Sequence, residues 1–184
     1  FLTLTRGAQV VVGSSMGGYL ALLLLRRLMR AAPNEAARIK ALVLIAPAWD
    51  MTERLMKPRL SQAAKRDIEE KGVWLRPSRY GDGPYPITRH LLEEGGRHLI
   101  GAAPFDPARP VHILHGLQDP DVPWEHTLDL VAHLDGDWTN VVAVPDQIAL
   151  LNLQVYAQSA CLSSFNSFGA ETSNGVTLTI GSVF

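Results

Sequence analysis

The stretch Ala8-Gln-Val-Val-Val-Gly-Ser-Ser-Met-Gly-Gly18 decides the reading of this chain. Gln9 to Val12 has the apolar, β-branched character of a short buried strand. It runs into Gly13-Ser14-Ser15-Met16-Gly17, and an apolar helix is expected at once, from Tyr19 to about Met29. Strand, then G-x-S-x-G, then helix is the arrangement called a nucleophile elbow. Ser15 must occupy a turn sharp enough to lift its hydroxyl clear of the backbone. Glycine at Gly13 and Gly17 would remove β-carbons that collide across that turn. The helix N-terminus offers free N–H groups and a positive dipole end to a developing oxyanion, with the Met16 N–H as first donor. The competing reading is a glycine-rich turn with an idle serine. Matches to five residues arise by chance, and only the Val run before and the Leu-rich helix after favour the nucleophile.

Composition narrows the classes. The chain has 184 residues, 47% hydrophobic and 19% charged, with net charge −1. That balance suits one soluble globular domain and offers no basic excess for nucleic acid. The single cysteine, Cys161, rules out an internal disulfide and a cysteine-based metal cage. The longest apolar run, Leu20 to Leu25, is far too short to span a bilayer. The chain opens on Phe1, a few residues before the first strand, which reads as a fragment of a longer protein. A cytoplasmic address is the default expectation, and a mitochondrial one the alternative in a eukaryote.

Ala41-Leu-Val-Leu-Ile-Ala46 is a second apolar run, bounded by Lys40 and Pro47, as in a parallel strand covered on both faces. With the first helix between them the two strands form a βαβ unit, and Pro33-Asn34-Glu35 marks the break after that helix. From Asp50 the character changes. Asp50 or Thr52 can cap a helix, with Glu53 in its first turn. Charge density rises through Arg59, Lys65, Arg66, Asp67, Glu69, Glu70 and Lys71. Tyr80 to Pro86 reads as a rigid loop, and Thr88 to about Glu94 as a short helix ended by Gly95-Gly96. No strand is evident in this block, roughly residues 50–103. It reads as an insertion between sheet strands, a lid or a peripheral helical layer.

Pro110-Val-His-Ile-Leu-His-Gly116 is a third strand, followed by a helix from about Trp124 to Leu134 and a fourth strand from Asn140 to Val144. Gln147 to about Ser159 suits a closing helix. Residues 159–184 change composition to Ser, Thr, Gly and Asn, with Glu171 the lone charge and only Val176-Thr-Leu-Thr-Ile180 alternating. The division is a partial domain, 1–158, and an atypical tail, 159–184.

His115-Gly-Leu-Gln-Asp-Pro-Asp-Val-Pro123 is the second informative motif. Asp119 lies just past the C-terminal end of a strand, where parallel sheets gather their functional groups. In a Ser–His–acid triad the acid fixes the histidine tautomer and stabilises its protonated form. The order Ser, then Asp, then His is one of the known chain orders. The bland reading is a turn aspartate before proline. Asp121 competes for the role nearby and Asp50 from further away.

The base is then missing. A histidine is expected just beyond the fourth strand, yet the sequence there is Val144-Pro-Asp-Gln-Ile-Ala-Leu150, and no histidine follows His133. Of the six present, His112 and His115 read as structural, His126 and His133 as helix residues facing solvent or a neighbouring element, and His90 and His98 as part of the inserted block. Only His90 or His98 could swing toward Ser15. No metal-ligand cluster, phosphate loop or nucleotide fingerprint is present, so no cofactor is expected.

These motifs together resemble the α/β-hydrolase family, in particular the serine-hydrolase branch that holds the mitochondrial acyl-protein depalmitoylases, also described as acyl-glucuronide esterases, and their bacterial relatives. The resemblance covers residues 8–146. It is most specific in Val12-Gly-Ser-Ser-Met-Gly-Gly18, Ile45-Ala-Pro-Ala-Trp-Asp-Met-Thr-Glu53, Tyr85-Pro-Ile-Thr-Arg-His-Leu-Leu-Glu-Glu94 and His115-Gly-Leu-Gln-Asp-Pro-Asp-Val-Pro-Trp124. It implies the C-terminal part of an α/β-hydrolase fold, a mostly parallel sheet flanked by helices with a helical lid insertion. It also implies Ser15 as nucleophile, Asp119 as acid and Met16 as oxyanion donor. The implied substrate is a small-molecule or acyl-protein ester or thioester, with no nucleic-acid partner. Two family features are absent: the first half of the sheet, with its second oxyanion donor, and the Gly-Asp-His-Arg-Leu-Ser segment that carries the base. Asp146 passes directly to Gln147-Ile-Ala-Leu-Leu151, which resembles the start of the family's last helix.

Three functions are compatible with this pattern: an ester or thioester hydrolase impaired by the lost histidine, a non-catalytic binding module on the same scaffold, and a peptidase or epoxide-type hydrolase. Serine at position 15 argues against epoxide chemistry. Without the earlier strands, Gln9–Val12 would lie at a hydrophobic sheet edge, a risk for aggregation. The simplest account of the missing base is a short deletion, or a splicing or reading error, at Asp146/Gln147. Reading the source nucleic acid across that junction is expected to reveal a Gly-Asp-His-like segment; an unbroken frame with no histidine codon rejects that account.

Overall fold

A computed structural model describes residues 6–77, 83–134, 139–144, 153–157, 160–162, 170–172 and 176–180. The chain divides into two compact units, residues 1–47 with 102–184, and residues 48–101.

In the first unit, β1 (Gln9–Ser14) leads into α1 (Met16–Ala31), a four-residue turn of helix α2 (Pro33–Ala36) and β2 (Ile39–Ile45). β1 and β2 are parallel, with Val12 opposite Val43 and Ser14 opposite Ile45. The expected βαβ unit is therefore present. Its helix starts earlier than the sequence suggested, because Met16, Gly17 and Gly18 already lie in the first turn. Leu22 and Leu25 of α1 are fully buried, as are Leu42 and Leu44 of β2. At about 25 cal/mol per Å² of apolar surface, that burial supplies the main force joining helix to sheet.

Within residues 48–101 a π-helical turn (Thr52–Met56) and a 3₁₀ turn (Lys57–Arg59) precede α3 (Gln62–Lys71). A hairpin then pairs β3 (Val73–Arg76) with β4 (Tyr85–Thr88), and α4 (Arg89–Arg97) follows. This corrects the expectation that the block holds no strand. Pro86 hid β4, yet its lack of an N–H is tolerable in a two-stranded ribbon. Ser61 caps α3 through its Oγ and Thr88 caps α4 through its Oγ1. The expected caps Asp50 and Thr52 do not act as such: Met51 occupies that place, without a side-chain bond. Nor do Gly95-Gly96 end α4, which continues to Arg97. Of the Tyr80–Pro86 loop, Tyr80 to Asp82 lie outside the described residues, while Tyr85 and Pro86 open β4.

Returning to the first unit, β5 (Val111–Gly116), α5 (Trp124–His133) and β6 (Thr139–Val144) complete a four-stranded sheet in the order β1-β2-β5-β6, parallel throughout. β1 lies at one end of that order, and its Val10 and Val12 are 43% and 44% exposed. The closing helix expected over Gln147–Ser159 is contradicted in its second half. Leu153–Ala157 is a strand, β7, and Gln147 to Asn152 lie outside the described residues. Two short strands, β8 (Ala160–Leu162) and β9 (Ala170–Thr172), pair with each other, and β10 (Val176–Ile180) pairs antiparallel with β7. The alternation of Val176 to Ile180 was thus a strand signal, and the alternation Leu153-Gln-Val-Tyr answers it across the ladder.

Arg109, just before β5, stitches the βαβ unit from below. Its Nη1 donates to the carbonyls of Ala36 at 2.5 Å and Ile39 at 3.0 Å, and its Nε to that of Pro107 at 2.7 Å. Burial pulls its pKa below the usual value, and the charge of Asp106 draws it partly back. Arg109→Met should cost about 1–3 kcal/mol by leaving carbonyls without a donor. The check is a lower urea midpoint at unchanged slope; a wild-type midpoint would mean that water serves those carbonyls equally well.

Candidate active site

Ser15 stands where β1 gives way to α1. Its φ of 50° and ψ of −118° are rarely adopted by a residue with a side chain. A backbone held there stores on the order of 1–3 kcal/mol of strain, so its surroundings must fix it. The Ser15 N–H donates to the Ile45 carbonyl at 2.8 Å, and the Ser15 carbonyl accepts from Gly18 at 3.1 Å and Tyr19 at 3.3 Å. Serine is a favoured N-cap, yet Ser15 makes no side-chain capping bond. Its side chain is exposed. Met16 and Gly17 begin the helix, and their N–H groups meet no acceptor among the described residues. These are donors of the kind an oxyanion requires.

The glycines divide the labour differently from the expectation. A β-carbon on Gly13 would lie 2.7 Å from the Gly18 nitrogen and closer still to the Gly17 carbonyl. On Gly17 it would meet nothing within 4 Å. The second close approach belongs to Gly18, where a β-carbon would come within 3.0 Å of the Pro47 β-carbon and 3.2 Å of the Gly13 oxygen. The turn therefore needs Gly13 and Gly18, and Gly17 is not required for packing.

Asp119 lies in the loop between β5 and α5 and is partly buried. Its Oδ1 accepts from the N–H groups of Asp121 and Val122, both at 2.9 Å, and its own N–H donates to Gly116 at 3.2 Å. The turn-aspartate reading is thus correct as local structure. It leaves Oδ2 without a donor among the described residues. Asp121, the nearer competitor, contributes a backbone donor to this turn. Asp50, the distant one, belongs to the other unit and binds two amides there with its two oxygens.

One further side chain fixes this loop. His115, 2% exposed, is clamped between two partners. Val122 presents a carbonyl at 2.8 Å from Nε2, and a carbonyl can only accept, so Nε2 carries the proton. Nδ1 is hydrogen-bonded to the Thr127 hydroxyl at 2.6 Å. The Trp124 ring meets the imidazole edge to face at 5.6 Å. His115 thereby ties the loop that holds Asp119 to α5. A histidine inside an apolar strand was the available signal, and it reads as structural, as expected.

The sheet brings Ser15 and Asp119 to the same edge. β1 and β5 are parallel neighbours of β2, so their C-terminal ends lie about 10 Å apart, two strand spacings. β2 stands between them in the sheet. Of the histidines, His112 is exposed on β5, and His126 is buried on α5 with His133 in its last turn. His90 and His98 belong to the second unit, where His98 stands 3.7 Å from Glu94. The segment after β6, where a base was sought, lies outside the described residues. No described helix is long and apolar enough to cross a membrane.

No protein-family model matches the chain. The bovine mitochondrial palmitoyl-protein thioesterase ABHD10 is 37% identical over 130 residues, which are 70% of this chain and 40% of that protein. A solved putative hydrolase from Agrobacterium vitis has a TM-score of 0.71 at 40% identity, covering 75% of this chain and 52% of the other. Mouse α/β hydrolase domain-containing protein 10 gives 0.62 at 29% identity, with 76% and 53% covered. This chain therefore spans about two fifths of the curated relative's length and about half of the solved ones. Over that shared length the parallel order β1-β2-β5-β6 and the strand–Ser15–helix junction agree with the resemblance carried by the motifs, and the chain belongs to the α/β-hydrolase family.

Proposed function

We propose that this chain carries part of a serine hydrolase for carboxylic esters or acyl thioesters. Ser15 is the nucleophile, the Met16 N–H an oxyanion donor and Asp119 the acid. The observation that carries the reading is the strained backbone of Ser15, held by three main-chain bonds while its side chain caps nothing. Attack by Oγ on the acyl carbon forms a tetrahedral oxyanion, whose collapse expels the thiol or alcohol and leaves an acyl-serine; water then releases the acid. The ABHD10 relatives are named palmitoyl-protein thioesterases, so a long acyl chain on a protein thiol is the substrate class favoured here. Their compartment, mitochondrial by name, is the favoured address.

Catalysis by this chain is weak on the same reading. No histidine follows His133, so Ser15 has no base to take its proton. Loss of the base from a triad lowers turnover by roughly 10⁴–10⁶-fold. That same absence favours a second reading, a binding module that retains an acyl ester without cleaving it.

A fluorophosphonate probe separates the two. The full chain should label slowly and at one site, and Ser15→Ala should abolish the label. Free imidazole, a diffusible base, should speed labelling of the wild type severalfold and leave Ser15→Ala unlabelled. Labelling that survives Ser15→Ala removes Ser15 from the role. Saturable binding of a palmitoyl thioester, with no label at any imidazole concentration, establishes the binding module instead.

A further inference from the structure

Residues 48–101 carry their own small core. Ile68, Ile87 and Leu92 are buried together, with Met56, Leu60 and Trp74 packed against them. Arg89 reaches back from α4 to the carbonyls of Ile68, at 2.9 Å, and Glu69 at the end of α3. A unit of about 50 residues is marginal on apolar burial alone, and such units need an additional tie.

Asp50 supplies one. Its side chain is 4% exposed, Oδ1 accepts the Ile100 N–H at 2.7 Å and Oδ2 accepts the Gly101 N–H at 3.1 Å. One carboxylate thus joins the first turn of the unit to its last residues. The Asp50 carbonyl also accepts from Glu53 at 3.0 Å and Arg54 at 2.9 Å, which starts the π-helical turn. The backbone of Asp50 is left-handed, φ 48°, and Gly101 has φ 85°. Aspartate tolerates that conformation better than most residues, but the strain still requires strong bonds around it. Beside this tie runs a second seam. A β-carbon on Gly95 would lie 2.9 Å from the Thr52 β-carbon and closer to its Oγ1 and Cγ2, so the π-helical turn packs directly on the backbone of α4. One residue on, a β-carbon on Gly96 would come within 3.0 Å of Glu53 Oε1, and that oxygen bonds Lys57 at 2.5 Å.

We propose that Asp50 is the clasp that makes residues 48–101 a separately cooperative unit, which opens and recloses its own fold while the four-stranded sheet stays intact. The chemistry is chelation. Two charge-assisted bonds from one rigid carboxylate close a loop of the whole unit, and neither bond can open alone without leaving a buried amide or a buried oxygen unpaired. Such local cooperative units are a recognised level of protein organisation. The inference concerns folding and is independent of the hydrolase reading.

The test is native-state hydrogen exchange by NMR on the full chain. In the wild type, amides of the π-helical turn, α3 and α4 should exchange through one common opening, at lower denaturant than amides of β2 and β5. Asp50→Ala should speed exchange of that set, and of Ile100 and Gly101, by at least about tenfold, the loss expected for a charge-assisted bond, while β2 and β5 keep their wild-type rates. Gly95→Ala, which strains the neighbouring seam, should accelerate the same set. Equal acceleration of β2 and β5, or a change confined to Ile100 and Gly101, overturns the proposal. Should Asp50→Ala fail to fold, the wild-type denaturant series decides alone: a single opening shared by both sets of amides overturns it.

Discussion

The reversal of the chain at Ser15 is the constraint on which the first unit depends. A strand and a helix joined without a loop can only be packed side by side if one residue takes a backbone conformation that side chains disfavour. Here that residue is Ser15, and the sequence around it is arranged to hold it there. Gly13 and Gly18 have no β-carbons because the turn brings their backbones together and brings Gly18 against Pro47. The Ser15 N–H is satisfied by Ile45, so the strained residue is tied to β2 as well as to its own helix. The βαβ unit and the exposed hydroxyl are two consequences of one local geometry.

The sequence made this part legible for a physical reason. Strands of a parallel sheet tend to be continuous apolar runs, and β1, β2 and β5 are such runs with few polar interruptions, even though one face of β1 is exposed. The helix between the first two declares itself by length and leucine content. Where the sequence misled, a second signal outweighed the first. Tyr85-Pro-Ile-Thr carries a proline, a loop signal that masks β4; the hairpin partner that makes the strand possible lies at Val73–Arg76. Gly95-Gly96 looked like a helix end because glycine usually is one. It is kept inside α4 by the approach of Thr52, a contact between residues far apart in the chain. The strand Leu153–Ala157 is hidden because its alternation is brief and its partner Val176–Ile180 lies in a stretch otherwise poor in pattern.

The proposed site shows the same division. Ser15 and Asp119 were readable because each follows a strand at a place where parallel sheets expose chemistry. What could not be read is how Asp119 is held. A turn aspartate and a catalytic acid are usually weighed as alternatives, yet Oδ1 builds the turn and Oδ2 is left over. His115 completes that arrangement from below. With both ring nitrogens engaged, it acts as a fixed strut between Val122 and Thr127.

That separation bears on how an active site of this family can lose its activity and keep its shape. The turn at Ser15 is fixed by glycine contacts and by Ile45, and the loop at Asp119 by its own amides and His115. Neither depends on a base for its geometry. The strain at Ser15 and the turn at Asp119 are each held by main-chain contacts of their own. The contacts that hold Ser15 in its strained conformation also hold helix to sheet. The geometry of Ser15 is for that reason a requirement of the fold before it is one of any chemistry at its hydroxyl.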